Sequence, residues 1–139
     1  MDFKLNIKEN EFRIGEYNTR LHNIREKIER AIASSLYAIE RSAKQNCPVD
    51  LGGLRQSIMV DIFPDRIGGR VVCMENHDPP YGAYVEFGTG PNVMIPEGLE
   101  DYAMKFFVNG RGHMPANPFL FPAFFDEQPR LLNVLENSL

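Results

Sequence analysis

The spacing of hydrophobic residues changes several times along this chain. Residues 3–7 alternate between apolar and polar, which predicts a half-buried strand, and the polar residues 8–16 predict a loop. From about Tyr17 to the residue before Pro48, apolar side chains recur every three or four positions, which predicts an amphipathic helix of roughly seven turns. The stripe of this helix comprises Leu21, Ile24, Ile28, Ala31, Ser35, Ile39 and Ala43.

The middle of the chain alternates again. Residues 57–63 and 70–75 are two β-rich runs joined by a short segment containing Pro, Asp and Gly, a pattern that predicts an antiparallel hairpin. Residues 81–87 are apolar, and their period does not decide between a strand and a helical turn. In the predicted order of elements we place a third strand there.

The C-terminal part predicts a long excursion followed by a helix. Residues 88–114 are rich in Gly and Pro, with one helical patch at 99–107, and we expect them to form a long, mobile loop. A second amphipathic segment begins near Pro122, which suits a first helical turn, whereas Pro129 should kink or restart the helix. These elements predict an α+β fold, with a long N-terminal helix and a C-terminal helix packed on a small antiparallel sheet. We expect one domain over residues 1–139.

Composition narrows the classes of function. The net charge of -4 argues against a general nucleic-acid binder, which needs Lys and Arg to displace counterions from phosphates. Cys47 and Cys73 lie outside any CxxC pair; we expect buried thiols in a reducing cytoplasm, with a disulfide as the alternative. No apolar run approaches the ~20 residues of a membrane helix, so we expect a soluble cytoplasmic product.

No recognisable catalytic or metal-binding pattern is present. His22, His77 and His113 lack the spacing of metal ligands, and the acidic cluster before Pro79 is typical of a solvated loop. The glycine-rich stretches at residues 88–91 and 110–113 lack the lysine and helix start of a phosphate-binding loop. We therefore expect no enzyme activity, no cofactor and no metal.

Three segments of the chain are more informative together than separately. They are CPVDLGGLRQSI at residues 47–58, YGAYVEFGTG at 81–90 and MPANPFLFPAF at 114–124. In this order they closely resemble the gene-product-ten-like minor tail component family of tailed bacteriophages and prophages, a family of tail-completion or head–tail connector (neck) proteins. The resemblance extends over residues 20–138, nearly the whole chain.

The sequence also departs from that family. Leu51 stands where the family usually has Thr, and Cys47 stands where it often has Ala. The stretch 91–113 is longer than the usual link between the second and third segments, which suggests a surface specific to this protein's neighbours.

The resemblance implies a structural role in virion assembly at the head–tail junction or the proximal end of the tail. It implies a homo-oligomeric ring, with a multiple of six subunits, that contacts head-connector and tail-tube proteins. A closed ring needs a head-to-tail interface between two different patches of each subunit. Genome DNA would pass through without specific binding, and no membrane is involved. The protein would assemble in the cytoplasm of the bacterial host and then reside in the virion.

The alternative is a small non-catalytic binding module. The Gly-Arg-Gly sequence at residues 110–112 could act as a flexible basic arm that contacts a host protein or nucleic acid.

Several residues of the three segments have predicted structural roles. Pro48 should end the long helix, Asp50 should cap a short turn, and Gly52 should allow the chain to reverse. Arg55 and Glu86 are either an ion pair or two independently solvated charges. The complete set of predicted motif residues is Pro48, Asp50, Gly52, Leu54, Arg55, Tyr84, Glu86, Phe87, Gly88, Pro118, Phe119 and Pro122.

The aromatic run at residues 118–122 has two interpretations. The first is core packing that anchors the last helix, and the second is a subunit interface, where aromatic side chains are enriched. We expect the interface to include the long excursion. The candidate interface residues are Met94, Phe106, Phe107, Arg111, His113, Phe121 and Phe124.

Overall fold

The computed structural model describes residues 7–75, 81–104 and 112–138, with only the backbone described at 7–14, 102 and 104. The elements in chain order are α1 (Ile7–Asn46), α2 (Gly52–Ser57), β1 (Ile58–Ile62), β2 (Gly69–Cys73), α3 (Tyr81–Phe87), a 3-10 turn (Gly90–Asn92), α4 (Glu100–Met104) and α5 (Phe121–Ser138). The predicted α+β class, with long N- and C-terminal helices and a small antiparallel sheet, is confirmed.

Helix α1 contains the predicted periodic stretch but begins earlier than predicted. It has 40 residues, which corresponds to a length of about 60 Å. The predicted loop at residues 8–16 is wrong, because this part is helical. It lacks proline, and one Gly costs a helix only about 1 kcal/mol. Of the predicted strand at 3–7, only Ile7 lies within the described residues, and it is helical.

The predicted hairpin is confirmed. Strands β1 and β2 are antiparallel, with Ile58 opposite Cys73 and Ile62 opposite Gly69. A Cβ atom at Gly69 would lie 2.5 Å from the Leu36 side chain, so glycine allows the hairpin to approach α1 closely. The predicted reversal before the hairpin is instead the short helix α2.

The predicted third strand at residues 81–87 is wrong, because this segment forms helix α3. Among the described residues the sheet has two strands. Val85, Glu86 and Phe87 are all buried, which a strand with one solvent-facing side would not allow. The carboxylate of Glu75 accepts the Gly82 N–H at 2.8 Å and so satisfies a donor in the first turn of α3.

Helix α5 begins at Phe121, which places Pro122 in its first turn as predicted. The helix continues through Pro129, so the predicted restart does not occur. Pro129 is exposed, where water can reach the carbonyl that its missing N–H leaves unpaired. In the excursion, α4 lies within the predicted helical patch, while residues 105–111 lie outside the described structure.

The core lies between the C-terminal part of α1, α2, β1, α3 and the start of α5. Its buried members are Ile39, Ala43, Cys47, Leu54, Ile58, Val85, Phe119 and Ala123. Helices α1 and α5 are antiparallel, because Asn46 Nδ2 donates to the Phe119 carbonyl at 3.3 Å and Ser35 Oγ donates to Glu127 at 3.0 Å. The core therefore joins side chains from all three of the informative segments.

Candidate assembly site

A buried carboxylate joins the second segment to the third. Glu86 of α3 is only 4% exposed. Its Oε2 accepts the backbone N–H groups of Phe119 at 2.8 Å and Leu120 at 2.9 Å, and its Oε1 accepts that of Phe121 at 3.0 Å. The first N–H groups of a helix have no partner within the helix, and negative charge is favoured there. Glu86 therefore caps α5 from 33 to 35 residues away in the sequence.

The two ends of the excursion are fastened together beside this cap. The Thr89 N–H donates to the Met114 carbonyl at 2.9 Å, and the Met114 N–H donates to Thr89 Oγ1 at 2.8 Å. The Asn117 N–H donates to the Val85 carbonyl at 2.8 Å, and Asn92 Nδ2 donates to the His113 carbonyl at 2.9 Å. The excursion is therefore closed at its base.

Gly88 is required where the chain leaves α3. Its φ is +77°, in the left-handed backbone region that residues with a side chain rarely adopt. A Cβ atom there would lie 2.6 Å from the Asn92 carbonyl oxygen and 2.8 Å from the Ala116 nitrogen. Both obstacles are backbone atoms, so a side chain at this position would force the base of the excursion open. We call Glu86, Gly88, Thr89 and their backbone partners the α3–α5 junction.

The expected pairing of Arg55 with Glu86 is not formed. Arg55 Nη2 instead donates to the Cys47 carbonyl at 2.9 Å, just beyond the C-terminal end of α1, where positive charge is favoured. Arg55 is half-buried and Glu86 is buried, so independent solvation is wrong as well. Arg55 therefore interacts near the C-terminal end of α1, and Glu86 interacts with the N-terminal end of α5. Arg55 Nε is buried without a hydrogen-bond partner in the described structure.

The expected cap by Asp50 is not formed either. The residue preceding α2 is Leu51, which makes no side-chain capping bond, and Asp50 is exposed. The turn closes through the backbone, because the Leu51 N–H donates to the Pro48 carbonyl at 3.1 Å.

The structure separates the remaining predicted residues by exposure. The buried or half-buried motif residues are Pro48, Leu54, Tyr84, Phe87, Gly88, Phe119 and Pro122, and the exposed ones are Gly52 and Pro118. Of the candidate interface residues, Met94, His113 and Phe124 are exposed and Phe121 is half-buried. Phe106, Phe107 and Arg111 lie outside the described residues.

An aromatic surface covers the start of α5. The ring centroid of Phe121 lies 5.7 Å from that of Phe87 and 6.2 Å from that of Phe125. Phe124 and Phe125 meet edge to face at 5.7 Å, and each is 44% exposed. Phe125 was not among the candidate interface residues predicted from the sequence, although its position beside Phe124 could have indicated it. Phe119, by contrast, is fully buried. The core-packing interpretation is therefore correct for Phe119, while other aromatic side chains nearby are exposed.

A largely apolar groove of about 380 Å³ adjoins the aromatic surface, between α1, β2 and α5. It is lined by Leu36, Ile39, Gly69, Arg70, Val71, Leu99, Leu120, Phe121 and Phe124. The groove and the exposed rings give this side of the molecule the apolar character of a protein contact surface.

The thiols are not activated. Burial raises the pKa of the Cys73 thiol to about 12, with Glu75 adding to the effect, and burial also raises the pKa of Cys47. Both cysteines are free, so the alternative of a disulfide is excluded in this structure. A thiol with a raised pKa is a poor nucleophile and metal ligand at neutral pH.

Among the described residues, both metal-binding clusters and membrane-spanning helices are absent. They contain no cluster of three or more His, Cys, Asp or Glu side chains that could hold a metal ion. Within the same part of the chain, no helix combines the length and apolar character needed to cross a membrane.

Comparison with known proteins identifies the family. The family model described as "Bacteriophage HK97-gp10, putative tail-component" matches residues 11–88, more than half of the chain. The matched range includes the first segment and most of the second, while most of the excursion and all of the third segment lie beyond it. Searches of curated proteins and of solved structures gave no match. The chain belongs to the HK97-gp10-like family of bacteriophage tail components.

Proposed function

We propose that this tail component is a non-catalytic ring-forming protein at the head–tail junction or the proximal end of the tail. The observation that carries the proposal is the exposure of apolar side chains at widely separated places, two of which are the start of α5 and the N-terminal part of α1. Phe124 and Phe125 are exposed at the start of α5, and Tyr17 and Leu21 are exposed on α1. Subunits of a closed ring meet through two different patches, and further surfaces must contact the proteins above and below.

The polar residues of the motifs support a scaffold rather than a reactive centre. Glu86, Thr89 and Arg55 all bind backbone groups of the same chain. The hydrogen bonds that these residues form fix helix ends and the base of the excursion. A binding or catalytic centre would instead direct such groups toward a ligand.

The partners follow from the same proposal. The subunits form a homo-oligomer with a multiple of six copies, in contact with head-connector and tail-tube proteins. The net charge of -4 suits a ring through which DNA passes without specific binding. Assembly takes place in the host cytoplasm, and the protein then resides in the virion.

The test is complementation of a phage that lacks this gene. Without the protein, we expect filled heads and tails to accumulate separately in negative-stain micrographs, and the wild-type gene should restore joined particles. Rings should be visible in micrographs of the purified protein or at the neck of the particles. Normal joined particles in the absence of the protein would contradict the proposal.

A matched pair of variants tests the aromatic surface. Phe124→Asp should leave a folded protein that fails to join heads and tails, because a charge replaces an exposed ring within the contact surface. Leu132→Asp is the control, since Leu132 is 51% exposed on the same helix but lies outside the aromatic surface. Equal titres for both variants would remove the aromatic surface from the proposal.

A further inference from the structure

The N-terminal part of α1 extends beyond the end of α5. Of the α1 residues whose side chains are described, 15–23 are all exposed and Ile24 is the first half-buried one. Because Glu127 of α5 lies opposite Ser35 and the helices are antiparallel, the last residue of α5, Ser138, is level with about residue 24. The helical residues 7–23 therefore project by about 25 Å beyond the end of α5.

This projecting helix continues an apolar stripe that α5 covers farther along. Tyr17, Leu21, Ile24 and Ile28 follow steps of four, three and four, the spacing of a helix-packing seam. Ile24 and Ile28 are half-buried, whereas Tyr17 is 64% exposed and Leu21 is 48% exposed. The apolar pattern is continuous, but within the described part of the chain its N-terminal portion is not covered. A helical stretch of this length is marginally stable in water unless its apolar face is packed.

Unpaired positive charge flanks the exposed stripe. Arg20 and Lys27 are seven residues apart, so they lie on the same side of the helix, and neither makes an ion pair with the described residues. Arg25 lies on the other side and is held by Glu29 at 3.0 Å. We call Tyr17, Arg20, Leu21 and Lys27 the basic seam.

The charges of the basic seam argue against pairing with its own copy. In a two-helix packing, residues that flank the stripe face each other across the interface. A parallel pair would bring Arg20 toward Arg25 of the other copy, and an antiparallel pair would also bring flanking basic residues together. Like charges in these positions are unfavourable, so the seam fits an apolar surface that carries negative charge.

The same chain carries an exposed segment of this character at a different place. No lysine or arginine occurs from Val71 to Met104. On the excursion Glu97, Glu100 and Asp101 are exposed and make no ion pair with the described residues. Nearby in sequence, the apolar Met94 is 66% exposed. We call Met94, Glu97, Glu100 and Asp101 the acidic face.

We infer that the basic seam of one copy docks on the acidic face of the next copy. This inference rests on the proposed ring: it pairs the exposed patch on α1 with the acidic face and leaves the aromatic surface to contact the head and tail proteins. The two patches differ, so the contact is head-to-tail and can repeat around a closed ring. Apolar contact would come from Tyr17 and Leu21 against Met94, while opposite charges at the flanks set the register and select the partner.

A charge exchange tests the inference. Arg20→Glu with Lys27→Glu should weaken subunit association by roughly tenfold or more, as should Glu97→Lys with Glu100→Lys. Combining the four substitutions should restore association, measured by sedimentation at low salt and by incorporation into particles in the complementation assay. Arg41→Glu is the control, because Arg41 is exposed on α1 outside the seam.

Cross-linking distinguishes a head-to-tail contact between the basic seam and the acidic face from pairing of two seams. Oxidation of a Leu21→Cys, Met94→Cys double variant should give a ladder of species longer than a dimer, while each single variant should remain monomeric on a denaturing gel. Dimers from Leu21→Cys alone would mean that two seams pair with each other and would overturn the inference, as would a cross-link confined within one chain.

The outcomes also separate the inference from the proposed function. Rings that survive both charge reversals would overturn the inference and leave the ring proposal intact. If the wild-type protein forms no ring in solution or in particles, the proposed function itself fails.

Discussion

The α3–α5 junction and the basic seam differ in whether their polar side chains have partners within the described part of the chain. At the junction, the carboxylate of Glu86 and the hydroxyl of Thr89 bind backbone groups of the same chain, and both residues are buried. In the basic seam, Arg20 and Lys27 have no ion-pair partner among the described residues, and Leu21 is half exposed. The contrast indicates that the polar residues of the motifs hold the subunit together, while the proposed contact between copies uses residues outside the motifs.

The largest effect on stability should come from removing the cap. Glu86→Ala leaves three backbone N–H groups of the α5 start without their carboxylate, and should lower the free energy of unfolding by about 3–5 kcal/mol. Glu86→Gln retains one acceptor oxygen and should lose about half as much. Urea denaturation followed by circular dichroism measures both. The exposed Glu97→Ala is the control, and a loss as small as that of the control would mean that the cap is unimportant.

The next effect concerns the base of the excursion. Gly88→Ala should cost about 2–4 kcal/mol, since its Cβ atom would collide with backbone in addition to the unfavourable φ. Gly98→Ala is a matched control with φ +88° and no atom within 4 Å of the added carbon, so it should cost only about 1 kcal/mol. Equal losses in thermal or urea denaturation would contradict the tight closure of the junction.

A smaller, pH-dependent effect should come from Glu127, which lies between the junction and the seam. Hydrogen bonds from Arg130 hold the pKa of the Glu127 carboxyl below its usual value, and the bond from Ser35 adds to this. Its stabilising contribution is therefore present above the unfolded pKa of about 4.3 and is lost as the pH falls through the lower folded value. Glu127→Gln should remove less than about 1 kcal/mol at pH 7 and nothing at the lowest pH values. A difference that grows on acidification would contradict this sign.

The smallest effect on stability should come from the basic seam. Leu21→Ala should change the free energy of unfolding by no more than about 0.5 kcal/mol, because the side chain is half exposed in the isolated subunit. The same variant should weaken subunit association measured by sedimentation. Val49→Ala provides the control, as Val49 is 83% exposed beyond the opposite end of α1 from the seam and should affect neither quantity. A large loss of stability in Leu21→Ala would mean that the seam belongs to the core.

The sequence predicted those elements whose patterns are local. The three- and four-residue steps of α1 and the alternation of β1 and β2 are repeated within each element, and the structure confirms them. The same reasoning failed at residues 8–16, where a polar composition was interpreted as a loop although nothing there prevents a helix. It also failed at residues 81–87, because a fully buried short helix and a buried strand have similar apolar runs.

The roles of the motif residues were not predictable in the same way. The sequence indicated that Arg55 and Glu86 were embedded in apolar surroundings. The partner of each, however, is a backbone group. Because every residue has backbone groups, the sequence does not indicate which of them will be the partner. Likewise, the two glycine-rich ends of the excursion gave no sign that Thr89 and Met114 would meet.

By itself, the sequence determined the membership of the family, the long N-terminal helix, the hairpin and the C-terminal helix. Only the tertiary structure decided that Glu86 caps α5, that the excursion is closed at its base and that the stripe of α1 continues beyond the described residues that cover it. The periodicity of a helix or strand depends on residues two, three or four positions apart, so a short stretch of sequence is enough to show it. The partner of a buried charge and the end of a covered stripe depend on how elements meet across the fold, which no local pattern records.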